Sequence, residues 1–232
     1  ISAVEQQVEL VYMIAPDLPL QLKGDPTRIK QIITNLVSNA IKFTKQGEVL
    51  VMAHYETDEL VLAVSDTGIG MTTEQQASIF EAFGQADKSV TRLYGGTGLG
   101  LVISQRLVSE MNGDIGFISD EKSGSTFWFT FQCQLNPIPL STPLNTDNLI
   151  NKSVYYYEPH QHSRSATIAT LESWSMRVTT IQSLSELTLL QLESTDADFL
   201  LMAYDVNSGE INELRKLLSL IKPYIASIHV VV

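Results

Sequence analysis

The chain has 232 residues with 44% hydrophobic content and only 13 glycines and 8 prolines, which suits one large or two small globular domains and excludes a fibrous protein. Fifteen basic residues stand against 26 acidic ones, and the formal charge of −11 argues against nucleic acid as a partner. One cysteine excludes an internal disulfide and favours a reducing cytoplasm, while no apolar run approaches the roughly 20 residues that cross a bilayer.

The first predicted helix starts at Asp25-Pro26, where a capping residue precedes proline at the first helical position. Apolar residues recur from there at helical spacing, and Gln46-Gly47 is predicted to end the helix. Two β-rich runs follow, at 49–55 and 60–64, with a short polar segment between them. They are predicted to form a hairpin.

A second helix is predicted from Thr72 or Thr73, where capping boxes are possible, to about Phe83. Residues 84–98 are polar and glycine-rich and show no hydrophobic period, which predicts a mobile loop.

The helical pattern resumes from Leu99 to Met111, and Asn112-Gly113 is the expected C-cap. Strands are predicted at 115–119 and 126–133. Helices and strands are segregated, which is typical of an α+β two-layer sandwich.

Residues 136–151 contain three prolines and many small polar residues, so we predict a linker between domains at 1–135 and 152–232. The second domain alternates strands and helices, which predicts a parallel sheet. Its predicted strands are 154–157, 176–181, 199–204 and 225–232, with helices at about 163–174, 185–193 and 210–220. The pattern stops on an apolar strand, so this domain is expected to be C-terminally incomplete. Because the chain starts at Ile1 and not at Met, we expect a piece of a longer protein.

Three segments carry possible chemistry. Asn35, Asn39 and Phe43 are four residues apart and share one helix face, where an amide oxygen is a suitable ligand for Mg²⁺. Asp66 precedes a turn whose glycines let the backbone approach a flat ligand, and its carboxylate is a suitable acceptor for an exocyclic amine. The glycine-rich segment 95–101 opens a helix, where free N–H groups favour phosphate. Taken singly, solvated amides, a surface turn and a flexible hinge stay open as alternatives.

Taken together, five segments in this order resemble the sequence boxes of the histidine kinase ATP-binding domain, over roughly residues 20–133. They are Asn35–Thr44 (N box), Asp66–Gly70 (G1), Phe80–Phe83 (F), Gly95–Gly100 (G2) and Gly124–Thr126 (the last glycine box). The resemblance implies the GHKL, or Bergerat, ATP-binding fold and a pocket for ATP and Mg²⁺.

The resemblance also implies residue roles. Asn39 would ligate Mg²⁺ with Asn35 beside it, and Asp66 would bind the adenine amine with support from Thr126. The implied catalytic residues are Asn35, Asn39, Lys42 and Arg92. Further nucleotide contacts are implied for Lys42 on phosphate, Phe43 on the base, Gly68 and Gly70 in the first glycine turn, Lys88 and Arg92 as phosphate clamps, and Gly96, Thr97, Gly98, Leu99 and Gly100 at the phosphates. Phe80 and Phe83 are expected to pack and to anchor the loop.

Gyrase-type and chaperone ATPases of the same superfamily place a glutamate, as base for a water, where this chain has Asn35. An amide cannot take that proton, which favours a kinase over an ATPase. None of the four histidines precedes an acidic residue. The phospho-accepting histidine is therefore expected on a helical dimerisation domain of the same full-length protein, outside this chain.

Residues 152–232 resemble a receiver, with a flavodoxin-like element order. The register puts Glu158 after the first strand and Ala203 at the phospho-acceptor position, where alanine cannot accept phosphate. We expect a degenerate receiver-like domain with a docking or spacing role. The arrangement resembles hybrid sensor kinases of the BarA/GacS kind, which implies a homodimer held in the bacterial inner membrane and further receiver and phosphotransfer domains downstream.

Two other functions stay open. The first is a catalytically silent nucleotide-binding module that regulates without phosphotransfer. The second is an aspartic protease, because Asp66-Thr67-Gly68 matches the triplet of that class. That chemistry needs a second carboxylate, and no second such triplet is present, although a dimer would supply one.

Overall fold

The computed structural model describes most of the chain: residues 3, 8–15, 17–19, 21–81, 99–135, 145–183, 186 and 197–203, together with the backbone of 229–231. The chain divides into two compact units, 1–141 and 142–232, and each is described by itself. None of the helices in these ranges combines the length and the apolar character that a bilayer-crossing segment needs.

The first helix, α1, spans Pro26–Phe43. Asp25 Oδ1 accepts the N–H groups of Thr27 and Arg28 at 3.0 and 3.1 Å, which confirms the predicted cap. The helix ends earlier than predicted, at Phe43, because Thr44 takes an extended conformation, and the Thr44 hydroxyl donates to the Ala40 carbonyl at 2.8 Å. One face of α1 is buried, and its buried side chains are Ile32, Leu36, Ala40 and Ile41.

The first unit contains a five-stranded sheet whose strand order is β1-β3-β4-β6-β5. Its strands are β1 (Val8–Ile14), β3 (Gly47–Glu56), β4 (Glu59–Asp66), β5 (Ile115–Asp120) and β6 (Gly124–Gln132). A separate two-stranded pair joins β2 (Leu22–Lys23) to β7 (Gln134–Leu135). Strand β1 runs parallel to β3, and the other neighbours in the five-stranded sheet are antiparallel.

The predicted hairpin is confirmed as β3–β4. Thr57 and Asp58 turn the chain with φ angles of 51° and 64°, the left-handed conformation that two-residue hairpin turns require. Strand β1 was not predicted.

The described part of this unit also contains the helices α2 (Thr73–Ser78) and α3 (Gly100–Glu110). The capping box is confirmed at Thr72 and Gln75, but α2 is shorter than predicted, and Phe83 lies outside the described residues. The predicted C-cap of α3 is also confirmed. Asn112 takes the left-handed conformation, and the N–H of Gly113 reaches the Val108 carbonyl at 3.1 Å.

The core of the first unit lies between the helices and one face of the sheet. Its most buried members include Ile32, Val49, Val108, Phe129 and Phe131. Their burial removes the apolar face of α1 and one face of the sheet from water, which is the main force that holds the layers together. The predicted α+β two-layer arrangement is therefore confirmed.

The second unit contains a four-stranded parallel sheet with the order β11-β10-β8-β9. Its elements are β8 (Ser153–Tyr157), α4 (Gln161–Ser173), β9 (Arg177–Ile181), β10 (Phe199–Met202) and β11 (His229–Val231). The predicted parallel pairing is confirmed for these strands. The helices predicted at 185–193 and 210–220 lie outside the described residues, apart from the isolated residue 186. Part of the predicted linker also lies outside them, although a 3₁₀ turn is seen at Asp147–Leu149.

Candidate functional site

The glycine turn at 66–70 is bonded directly to the chain that follows α1. The N–H of Thr67 donates to the Glu48 carbonyl at 3.2 Å, and the N–H of Glu48 donates back to Thr67 Oγ1 at 3.0 Å. The N–H of Ile69 donates to the Phe43 carbonyl at 3.3 Å. These bonds bring the end of α1 and the glycine turn into one small region.

The two glycines of this turn are required by close backbone contacts. A Cβ on Gly68 would lie 2.5 Å from the Phe43 carbonyl oxygen and 2.8 Å from Asp66 Oδ1. Gly70 has a φ of +64°, and a Cβ there would collide with the Asp120 carbonyl. At these two positions the turn therefore presents backbone and not a side chain.

Asp66 is a buried carboxylate at the end of the central strand β4, and it is only 8% exposed. Burial raises the pKa of Asp66, and the backbone N–H groups of Gly68 and Ser125 partly oppose that rise by donating to the carboxylate. The Gly68 bond is 2.8 Å long. Two donors use part of the acceptor capacity of a carboxylate, so Asp66 has room to accept an amine.

Thr126 lies beside the residue that precedes Asp66. Its hydroxyl is 2.8 Å from the Ser65 hydroxyl, because the sheet pairs Ser65 with Thr126 and Asp66 with Ser125. Support of Asp66 by Thr126 stays a prediction. Ser125 lies in the last glycine box but was not predicted to contact Asp66, and its hydroxyl lies 2.9 Å from that of Ser119. Only the β4–β6 register identifies it.

Asn39, Lys42 and Phe43 lie on the last two turns of α1. Asn39 and Lys42 are partly exposed, and burial lowers the pKa of Lys42. The Lys42 ammonium nitrogen lies 4.9 Å from the centroid of the Phe43 ring, which is a cation–π contact. One face of the ring predicted to pack on a base is therefore covered by a cation.

Asn35 faces α3. Its Nδ2 donates to Ser104 Oγ at 2.9 Å, and a Cβ on Gly100 would collide with its Oδ1. Leu99 is the N-cap residue of α3 and has no side-chain acceptor for the first N–H groups of the helix. The structure thus brings two predicted site residues, Asn35 and Gly100, into contact.

Five predicted site residues lie outside the described residues. They are Lys88, Arg92, Gly96, Thr97 and Gly98.

The F box is described up to Glu81, and the Phe80 ring centroid lies 5.9 Å from that of Phe117, which in turn lies 5.7 Å from that of Phe127. Phe80 packs against β5, as predicted.

In the second unit, Glu158 follows β8 and Ala203 follows β10. The N–H of Ala203 donates to the Tyr157 carbonyl at 2.9 Å, so the two strand ends are adjacent. Glu158 is 8% exposed, and its Oε1 accepts the N–H of His160 at 2.9 Å and lies 3.0 Å from His160 Nδ1.

Comparison with known proteins is consistent with this geometry. Residues 24–135 match the family described as Histidine kinase-, DNA gyrase B-, and HSP90-like ATPase. The chain is 41% identical over 200 residues to Sensor histidine kinase GacS of Pseudomonas protegens, and 41% identical over 182 residues to Signal transduction histidine-protein kinase BarA of Escherichia coli K12. The alignments cover 81% and 76% of this chain but 21% and 20% of the relatives, so the chain spans about a fifth of their length.

A solved structure is also similar. Full-length ShkA in complex with AMPPNP matches 98% of this chain and 50% of its own, with a TM-score of 0.69 and 27% identity. For residues 24–135, the predicted family of ATP-binding domain and the GHKL type of fold are confirmed by these matches.

Proposed function

Because residues 24–135 belong to the family of histidine kinase-type ATPases, we propose that this domain binds MgATP and donates the γ-phosphate to a histidine outside the chain. One observation carries the proposal. The turn that holds the buried carboxylate of Asp66 is hydrogen-bonded to the end of the helix that bears Asn39 and Lys42. The proposed adenine acceptor and two proposed phosphate-side groups are therefore carried by segments that hydrogen bonds join.

The side chains of this region fit the proposed ligands. Asp66 would accept the adenine amine, with Gly68 and Gly70 allowing the base to approach the backbone. Asn39 offers one amide oxygen at a partly exposed position, which suits a Mg²⁺ ion whose other ligands are phosphates and waters. A bound Mg²⁺ supplies charge neutralisation at the phosphates. Lys42 would contact phosphate.

The chemistry and the hydrogen bond of Asn35 favour transfer of the phosphoryl group to a protein and not to water. Its amide cannot act as a general base, and its nitrogen already donates to Ser104. Phosphoryl transfer depends mainly on positioning and electrostatic stabilisation, both of which this domain can supply. Arg92, Lys88 and the glycines at 96–100 would complete the phosphate end.

The whole protein is proposed to be a hybrid sensor histidine kinase of a two-component system. Its dimerisation domain would carry the phospho-accepting histidine, and receiver and phosphotransfer domains would follow, in a homodimer held at the bacterial inner membrane. We assign 1–135 to the ATP-binding domain, 136–151 to a linker and 152–232 to a receiver-like domain. The strand order β9-β8-β10-β11 supports the last assignment, because it matches the flavodoxin-like order 2-1-3-4. With Ala203 after β10, that domain would dock or space its neighbours without taking phosphate.

Calorimetric titration tests the proposal. The wild-type chain is titrated with MgATP and with a non-hydrolysable analogue, and the Asn39→Ala variant is titrated in parallel. Binding of both nucleotides by the wild type, with a loss of about tenfold or more in the variant at unchanged folding, is the expected result. A folded wild type that gives no heat and no melting shift would refute it. Binding without transfer of labelled phosphate to the histidine-bearing domain would instead identify a silent regulatory module.

A further inference from the structure

The contact between α1 and α3 contains a buried polar pair. Ser104 is only 2% exposed, and its hydroxyl accepts the Asn35 Nδ2 hydrogen at 2.9 Å. Serine is not favoured inside helices, and a buried hydroxyl requires a hydrogen-bond partner. Asn35 supplies that partner from the neighbouring helix, so the two helices are joined by a directional bond and not by apolar packing alone.

The oxygen of the same amide lies close to the start of α3. Gly100 lies one helical turn before Ser104 on the same face of α3, and a Cβ at Gly100 would collide with Asn35 Oδ1. The Asn35 side chain is therefore held at its nitrogen by Ser104, while its oxygen lies close to the backbone of Gly100. A side chain at residue 100 would force Asn35 or the start of α3 to shift.

Asn35 in turn lies one helical turn before Asn39 on α1. We infer that Ser104 is a positioning residue, which acts through Asn35 to fix the start of α3, and with it the phosphate-facing N–H groups, relative to Asn39. The inference rests on the proposed function. It also gives Asn35 a different role from that of a residue beside the metal ion: it joins the helix of the metal ligand to the helix that faces the phosphates.

The inference predicts that binding of the phosphates and binding of the base respond differently to a change at Ser104. The turn at 66–70 is held by the chain that follows α1, and none of the bonds described for it involves α3. Removal of the Ser104 hydroxyl should therefore affect the phosphates and spare the base. A residue that only stabilised the fold would affect both.

The test compares Ser104→Ala with the wild-type chain for binding of MgATP and of adenosine, measured by displacement of a fluorescent ATP analogue. MgATP affinity should fall about fivefold, the typical effect of one lost hydrogen bond, while adenosine affinity stays unchanged. Ser109→Ala, at an exposed position of the same helix, is the matched control and should behave as wild type. If the wild type binds no MgATP, the proposed function fails. If the wild type binds and Ser104→Ala binds equally well, or loses adenosine in proportion, only the inference is overturned.

Two further variants guard against a folding defect. Ser104→Cys keeps a similar volume but is a weak acceptor, and it should show the same selective loss of MgATP affinity. The double variant Asn35→Ala/Ser104→Ala should lose no more MgATP affinity than Asn35→Ala alone, because each single change removes the same hydrogen bond. Additive losses in the double variant would contradict the inference. Circular dichroism at the assay temperature establishes that each variant is folded.

Discussion

Each unit of this chain places a buried carboxylate directly after or at the end of a strand. Asp66 and Glu158 are both 8% exposed, and each accepts the N–H of the residue two positions later, at 2.8 and 2.9 Å. Their partners differ. Among the described residues, the donors to Asp66 are backbone N–H groups, whereas the Glu158 oxygen also lies 3.0 Å from the imidazole nitrogen of His160.

Because their partners differ, the two carboxylates are expected to have different roles. A buried carboxylate that receives only neutral donors keeps a penalty for its charge and retains acceptor capacity for a ligand. A carboxylate beside an imidazole has a partner within its own loop, as expected of a residue that holds a structure together. We therefore expect changes at Asp66 to alter nucleotide binding and changes at Glu158 to alter stability.

The largest effect is expected for Asp66→Asn. The variant replaces the proposed acceptor of the adenine amine by an amide, and a hydrogen bond to a charged group contributes about 1.5–3 kcal/mol, so ATP affinity should fall about 10- to 100-fold. The preference for ATP over GTP should fall with it, while the melting temperature without nucleotide is unchanged or higher, because a buried charge is removed. Competition titrations with both nucleotides measure this, and an unchanged preference would refute the role of Asp66.

Acid should reproduce part of this effect in the wild type. Burial raises the pKa of Asp66 above its ordinary value of 3.8, so the folded domain takes up a proton at a pH where the unfolded chain does not. In that window ATP affinity should fall about tenfold per pH unit below the raised pKa, while the contribution of Asp66 to the free energy of unfolding should rise as the pH falls. Titrations and thermal melts between pH 7 and 4 test both signs. Asp66→Asn, which has no carboxyl to titrate, should show neither trend at this position.

A smaller effect on binding is expected for Gly68→Ala. The new Cβ would lie 2.5 Å from the Phe43 carbonyl, so the turn or the end of α1 must shift. We expect a loss of about 2 kcal/mol in unfolding free energy and about fivefold in ATP affinity. Gly24→Ala is the matched control, because its Cβ would make ordinary contacts at 3.4 and 3.6 Å. Equal denaturation midpoints and affinities for the two variants would contradict the contact argument.

The smallest effect on binding is expected for Glu158→Gln. The amide keeps an acceptor for the His160 N–H but loses the charge beside the imidazole, which should lower the unfolding free energy of the second unit by about 1 kcal/mol. ATP affinity should not change. Urea unfolding followed by calorimetric titration separates the two quantities, and a change in affinity would show that the comparison between the two carboxylates is wrong.

Structural features that depend on residues close together in the chain could be predicted from the sequence. The cap at Asp25 and the helical period that follows it placed the start of α1, and the short polar turn placed the β3–β4 hairpin. Asn112-Gly113 likewise placed the end of α3. These features depend on residues within a few positions of one another, so periodicity and capping chemistry reveal them.

Contacts between distant segments were not predictable in the same way. Strand β1 is defined by its pairing with β3. Because β3 starts at Gly47, far along the chain from Val8, no local pattern reveals this pairing. The partner of Asp66 depends on the β4–β6 register, and a shift of one residue exchanges Ser125 for Thr126. The partner of Asn35 depends on how α1 and α3 pack, which sequence spacing alone does not determine.

The parallel pairing of β1 with β3 determines how the polypeptide enters the domain. Val8 is aligned with Gly47, and Leu10 lies beside Val49, whose other neighbour is Asp66. The first residues of the sheet are thus only two strand spacings, about 10 Å, from the strand that ends in Asp66, the carboxylate proposed to bind adenine. Any segment joined to Val8 on its amino-terminal side therefore begins at the β1 edge of the sheet. A short connection would be enough to place such a segment near Asp66.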